Sequence, residues 1–177
     1  MKSPLPLSEV YRLIEPGPVL LLGTQRRGVP NVMPMSWHCM MEFEPPLIGC
    51  VVSGNDFSFA ALKNRRVCTL NIPQRDLAEQ VVACGNSSGR NLDKFAAFGL
   101  HAEPASLVEA PLIAECFANL ECRVVDTRLV NTYNFFVLEV LKAWHDPGVS
   151  QPQTLHHRGY GTFMLAGEEI VLASRMP

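Results

Sequence analysis

Apolar and polar positions alternate in short blocks along this chain, and the period of the alternation changes from block to block. Residues 19–24 (Val-Leu-Leu-Leu-Gly-Thr) form an apolar run stopped by Gln25-Arg26-Arg27-Gly28, and extended character resumes over residues 30–43, which predicts a first β-hairpin. The return stretch holds Pro34, which cannot donate to a ladder and so suggests an edge or a bulge, a place where backbone groups face a ligand. Glu44-Pro45-Pro46 breaks the chain before residues 47–53, a continuous apolar run of the kind found in a fully buried strand. Gly54-Asn55-Asp56 then reads as a turn. From Phe57 to Arg65 apolar residues recur at Phe57, Ala60, Ala61 and Leu62, which predicts a short amphipathic helix with Asp56 as its N-cap.

Residues 67–72 predict another strand, closed by Pro73, and a helix with acids in its first turn starts at Asp76-Leu77-Ala78-Glu79 and ends near Cys84-Gly85. After the polar loop Asn86-Ser87-Ser88-Gly89, residues 90–98 predict a second helical piece with Gly99 as its C-cap. Two long strands follow over residues 114–127 and 133–145. Residues 146–152 are loop, and the tail carries His156-His157-Arg158-Gly159-Tyr160-Gly161 before a last apolar stretch. About six or seven strands, most of them antiparallel, would leave exposed edges unless they closed, fully or in part, into a barrel.

Composition narrows the classes. A chain of 177 residues is the size of one domain, spanning residues 1–177. Its 47% hydrophobic and 18% charged residues leave little charged surface, which points to an oligomer. A net charge of −2 argues against a nucleic-acid partner, including an oligonucleotide-binding barrel in which Trp37, Phe57 and Phe135 would stack bases. No apolar run reaches the ~20 residues of a membrane span, and the proline-broken N-terminal stretch has no signal core, so a cytoplasmic protein is expected. The six cysteines lack any C-x-x-C spacing and read as buried small hydrophobes in a reducing compartment, not as a disulfide framework or zinc site.

Three segments carry the chemistry: Met33-Pro34-Met35-Ser36-Trp37-His38, Cys50-Val51-Val52-Ser53-Gly54-Asn55-Asp56-Phe57-Ser58, and Ser88-Gly89-Arg90-Asn91-Leu92-Asp93-Lys94-Phe95. Asn55, Asp56, Phe57 and Ser58 open a predicted helix, where free N–H groups and the dipole favour an anion. Arg90 and Lys94, four apart on a helical piece, would leave from one face and close on one phosphate. Other readings stay open. Arg90 and Lys94 also suit a solvated face, Trp37 suits core packing, and Met33, Met35, Met40 and Met41 suit gap-filling. Asp93 would orient a basic neighbour or cap the helix. His156 and His157 have no acidic or cysteine companions at ligand spacing, so no metal is expected.

In the order and spacing of Asn31-x-Met33-x-x-Ser36-Trp37, Pro45-Pro46-Leu47 and Ser88-Gly89-Arg90-x-x-Asp93-Lys94-Phe95, the chain resembles the flavin-reductase-like family of FMN-binding split barrels, and within it the flavoredoxin type. The resemblance implies a mainly β fold with short helices, a split β-barrel of Greek-key type, and non-covalently bound FMN. It lays Met35, Ser36, Trp37 and His38 along the flavin edge, puts Cys50, Val51 and Val52 beneath the ring, and implies that Ser53, Asn55, Phe57, Ser58, Ser88, Arg90 and Lys94 hold the rest of the cofactor. His157 would meet a nicotinamide or a partner. Members often carry a basic residue where this chain has Asp56, and a carboxylate there would oppose a phosphate.

The implied activity is an oxidoreductase passing electrons from NAD(P)H or a protein donor through flavin to a flavin or protein acceptor; the alternative is a non-catalytic flavin carrier or sensor. The chain offers no evident acid, base or nucleophile, as befits flavin chemistry. With no G-x-G-x-x-G after a strand, a nicotinamide would dock on the flavin itself. A homodimer with FMN near the subunit interface and an electron-transfer or monooxygenase partner are also implied. Replacing Arg90 and Lys94 together is expected to weaken FMN binding and leave the fold intact.

Overall fold

A computed structural model describes residues 1–174. The strands of its main sheet are β1 (Ser3–Leu5), β2 (Leu20–Arg26), β3 (Val29–Met35), β4 (His38–Phe43), β5 (Pro46–Val51), β6 (Val67–Ile72), β9 (Ala118–Asp126) and β10 (Phe135–His145). They form one 8-stranded sheet in the order β3-β2-β6-β9-β10-β5-β4, with β1 added to β10, and the paired strands run antiparallel. Two short ladders, β7 (Ala102–Glu103) with β8 (Leu112–Ile113) and β11 (Leu155–Gly159) with β12 (Thr162–Leu165), sit outside it. The helices are α1 (Tyr11–Ile14), α2 (Phe57–Arg65), α3 (Ala78–Gly85), α4 (Lys94–Phe98) and α5 (Val130–Tyr133). The fold is mainly β with short helices, as the sequence predicts.

Local chemistry explains most of the boundaries. Arg27 (φ 53°) and Gly28 (φ 80°) are both left-handed, so they make the two-residue turn whose twist matches the right-handed twist of β2 and β3. Pro34 lies in β3, an edge strand of the sheet, where its missing donor leaves no ladder bond broken. Asp93 caps α4 by accepting from the amides of Phe95 (3.0 Å) and Ala96 (3.2 Å), and Gly99 (φ 65°) ends the same helix.

Beneath the sheet, Leu20, Leu22, Ile48, Leu70, Leu120, Phe136 and Leu138 form the main core. A smaller cluster, including Leu21, Val32, Val81, Phe95 and Ile113, packs α3 and α4 against the other face of the β2–β3 hairpin. Both clusters use the alternation of β2: Leu20 and Leu22 face one, Leu21 the other.

Four expectations need correction. The run over residues 30–43 is not one return strand; it breaks at Ser36-Trp37, after which β4 pairs with β5. Asp56 occupies the N-cap position of α2 but makes no capping bond. The helical piece expected from Arg90 begins only at Lys94, because Asp93 (ψ 101°) holds extended backbone in order to cap it. Cys39 is exposed on edge strand β4, whereas the other five cysteines are buried.

Candidate functional site

The site is built where the β2–β3 hairpin, the first turn of α2, the end of α3 and the loop into α4 meet. Two clefts open there and share Pro34 and Gly85 as walls. The first, about 280 Å³, is an apolar slot floored by Val19, Val81 and Val82 and rimmed by Met35, Ser36, His157 and Phe163. The second, about 460 Å³, is a polar cup lined by Asn31, Asp56, Ser58, Ser88, Arg90 and Lys94 among others. Gly85 lets the two elements approach closely at the junction: a Cβ there would stand 3.2 Å from the Pro34 ring, tighter than ordinary packing.

In the cup the amides of Phe57 and Ser58 open α2 and have no intrahelical acceptor. The Ser58 hydroxyl, fully buried, accepts from Asn31 Nδ2 at 2.8 Å, so its own proton stays available to a ligand. Asn31 Oδ1 is buried with no partner and lies against Gly89, where any side chain would collide with it. Ser88 Oγ accepts from the amide of Arg90 at 3.3 Å, and the exposed Arg90 guanidinium donates to the Asn55 carbonyl at 3.3 Å.

Lys94 has a different place from the one its spacing suggests. It is 4% exposed and its ammonium donates to the carbonyls of Val32 (2.9 Å) and Cys84 (2.7 Å). Burial lowers its pKa, while the nearby Cys84 and Asp56 act in the opposite sense. Lys94 therefore pins β3 to α3 from below the cup, and it shares no helical face with Arg90. The expectation that Arg90 and Lys94 can both be removed with the fold intact does not survive this geometry.

Other residues named from the sequence lie elsewhere. Cys50 and Val52 turn into the core, and the amides of Val51 and Val52 already donate to the carbonyls of Trp37 (3.0 Å) and Asn134 (3.1 Å). They do not floor the slot; α3 and the approach to β2 do, because β5 is enclosed between β10 and β4. Ser53 accepts from the Asn55 amide at 3.2 Å within its own turn. His38 Nε2 donates to the Pro18 carbonyl at 2.7 Å, which fixes the proton on that nitrogen, and the ring lines a separate cleft beside α1. Burial lowers its pKa, and Nδ1 has no partner. Trp37 is 71% exposed, which rules out core packing within this chain. Of the two tail histidines, His156 bonds Thr154 (2.9 Å) and Gly17 (3.2 Å), whereas His157 packs on Phe163 (5.4 Å between ring centroids) at the slot rim.

The sequence signal for Asn31 was the motif Asn31-x-Met33, which by itself assigns the side chain no role. Val81, Val82 and Gly85 carried no chemical signal at all; only the packing of α3 against β3 turns them into a wall.

A split barrel with a slot and a cup at one hairpin defines a class, and the chain belongs to it: the flavin reductase like domain family matches over residues 11–164. Escherichia coli K12 YddH is 30% identical, with 94% of this chain and 96% of that protein covered. An FMN-binding domain of a flavin reductases-like enzyme from Shewanella baltica superposes with a TM-score of 0.93 at 23% identity, over 98% of both chains. A flavoredoxin from Methanosarcina acetivorans superposes at 0.77 with 26% identity, over 89% of both. Among the described residues no helix is long and apolar enough to cross a membrane.

Proposed function

We propose that this chain is an FMN-dependent oxidoreductase, one flavin-reductase-like unit that accepts electrons from NAD(P)H or a protein donor and delivers them to a flavin or protein acceptor. The observation that carries the reading is the joining of an apolar slot to a polar cup across Pro34 and Gly85. A phosphorylated flavin needs a flat apolar seat beside an anion cup. The open amides of α2 fit the phosphate of such a ligand, and the unpartnered Oδ1 of Asn31, an acceptor, fits one of its hydroxyl groups. When bound, the flavin supplies reversible hydride and electron transfer.

The protein's own residues bind and orient. Ser58, the Phe57 and Ser58 amides and Arg90 receive the phosphate, with Asn31 fixing the direction of the Ser58 hydroxyl. Val19, Met35, Val81 and Val82 exclude water from the ring, and Ser36 offers a polar group at its edge. Lys94 acts through position, holding β3 and α3 at the spacing the slot requires. Asp56 lines the cup and opposes a phosphate, so affinity for FMN is lower than with a basic residue there. His157, at the rim, meets the nicotinamide or the electron partner.

The same reading includes a cytoplasmic homodimer. Trp37 (71% exposed), Met41 and Phe43 surround edge strand β4, and a second copy would cover them next to Met35 and Ser36 of the slot. A monooxygenase drawing reduced flavin is one acceptor such a dimer could serve.

The test is an anaerobic absorbance titration of the protein with FMN, followed by NADH and NADPH. Binding should shift the flavin bands, and a nicotinamide should bleach them. A protein that takes up FMN and is never reduced would be a flavin carrier; one that leaves the FMN spectrum unchanged at micromolar concentrations would overturn the reading.

A further inference from the structure

We propose that residues 167–172 form an exchange arm: in a homodimer the arm leaves its own subunit beside α1 and lies as an added strand along the free edge of β4 in the second copy. This deepens the homodimer of the reading above, on which it rests. The arm lies beyond the family match, which ends at residue 164.

The arm is apolar and uncovered. Ala166 is tied to the body by its amide, which donates to the Thr154 carbonyl at 3.0 Å, and the chain beyond it holds no helix or strand among the described residues. Ile170, Val171 and Leu172 follow one another at 78%, 95% and 76% exposure. Three adjacent aliphatic side chains of high strand propensity, left in water, mark a surface that another molecule covers. Glu169 lies within electrostatic reach of Arg12, which places the root of the arm at α1.

The receiving edge lies beside the same helix. A cleft of about 540 Å³ runs between Ile14, Glu15 and Gly17 on the α1 side and Met40, Met41 and Phe43 on β4. Tyr11 and Phe43, edge to face with 5.0 Å between ring centroids, join the two walls. The Val51 amide donates to the Trp37 carbonyl, and bonded pairs alternate along an antiparallel ladder. Cys39 and Gly49 are therefore the next bonded pair, and the amides and carbonyls of His38 and Met40 face away from β5, free to pair with an added strand. The outer strand at the other end of the sheet, β3, is closed to such pairing: Pro30 and Pro34 have no donor, and Lys94 takes the Val32 carbonyl.

Symmetry selects a second copy as the occupant. Arm and cleft share the α1 side of the molecule, and the arm's own subunit leaves its aliphatic residues uncovered. A two-fold axis through that side sets each arm over the other subunit's cleft, so the contact is made twice. The cleft is continuous with Trp37, Met41 and Phe43, the exposed apolar residues already given to the dimer face. Six extended residues reach at most about 20 Å, which suffices between subunits that touch there.

The test uses the full chain in sedimentation velocity and in cross-linking. The native protein should sediment as a dimer. Ile170→Asp combined with Leu172→Asp should weaken dimerisation about 100-fold, with far-ultraviolet dichroism unchanged because both side chains are exposed in the subunit. Cys39, exposed on β4 at the cleft, supplies a native thiol for cross-linking. Neighbouring residues of a strand face opposite ways, so at least one of Ile170→Cys and Val171→Cys should give a disulfide-linked dimer on treatment with diamide, and adding Cys39→Ser should abolish it. A native monomer, a dimer that survives the two aspartates, or no cross-link in either cysteine variant would overturn the proposal. A link formed within one chain would also overturn it, by making the arm a cover for its own cleft. FMN titration of the same samples keeps the two readings apart. An arm-linked dimer that leaves the FMN spectrum unchanged retains the arm and removes the flavin reading, whereas a monomer that binds FMN does the reverse.

Discussion

Asparagine is used in opposite ways in two buried parts of this molecule. In the barrel, Asn71 donates to the Leu21 carbonyl (2.9 Å) and accepts from the Ile113 amide (3.1 Å) and from Asn119 Nδ2 (2.7 Å), while Asn119 Oδ1 accepts from the Lys2 ammonium (2.5 Å). Nearby on β9, the Glu121 carboxylate accepts from the Ser106 amide and hydroxyl, the Leu107 amide and the Trp144 indole. Each of these side chains is spent on the fold. In the cup, Asn31 bonds Ser58 through Nδ2 and leaves Oδ1 with nothing. A buried polar group costs stability unless it is paired, so the closed network is scaffold, and on the function proposed above the open one at Asn31 is held for a ligand. Thr24, His38 and Gln80 also leave a buried side-chain atom unpaired, but none of them lines the cup.

The contrast is sharpest in a test on the closed side. Burial alone would push the Glu121 carboxyl up, yet the bonds from Trp144, Leu107 and Ser106 together hold it below the usual range. Glu121→Leu leaves those donors unpaired and should cost about 3 kcal/mol in denaturant unfolding. The folded fraction should still bind FMN with native affinity. A variant that unfolds normally but loses FMN would break the division between scaffold and site.

Lys94→Met tests the residue that belongs to both sides. It keeps the apolar stem and unpairs two carbonyls, so it should cost about 2 kcal/mol of stability and weaken FMN through the spacing of β3 and α3. Arg90→Ala belongs to the open side alone. Its loss should lower FMN affinity about 10-fold, or 1.4 kcal/mol, with no measurable change in unfolding.

The smallest effect concerns His38. Burial lowers its pKa, so the folded protein binds fewer protons than the unfolded chain once pH drops below about 6.5. Stability is therefore full above that pH and declines as pH falls towards the folded value. Thermal midpoints of the native protein and His38→Gln, measured from pH 7.5 to 5.5, should converge as the pH falls. Parallel curves would show that His38 contributes nothing to the acid response.

Much of the architecture is legible without coordinates because it rests on local physics. Strand β6, the Gly85 helix end, the proline break before β5, the Asp93 cap and the Gly99 stop follow from apolar runs, missing donors and residues that tolerate left-handed backbone. The anion-favouring turn at Asn55-Asp56-Phe57-Ser58 is legible for the same reason, since the orphan amides of a helix start are a property of the backbone. Tertiary structure alone decided what the side chains near that turn are for. Lys94 looks like a surface cation until the carbonyls of Val32 and Cys84, contributed by two other elements, enclose its head. Val81 and Val82 are ordinary helix residues until β3 lies across them. A side chain's role depends on which distant groups share its dielectric and its hydrogen bonds, and spacing along the chain does not record those neighbours.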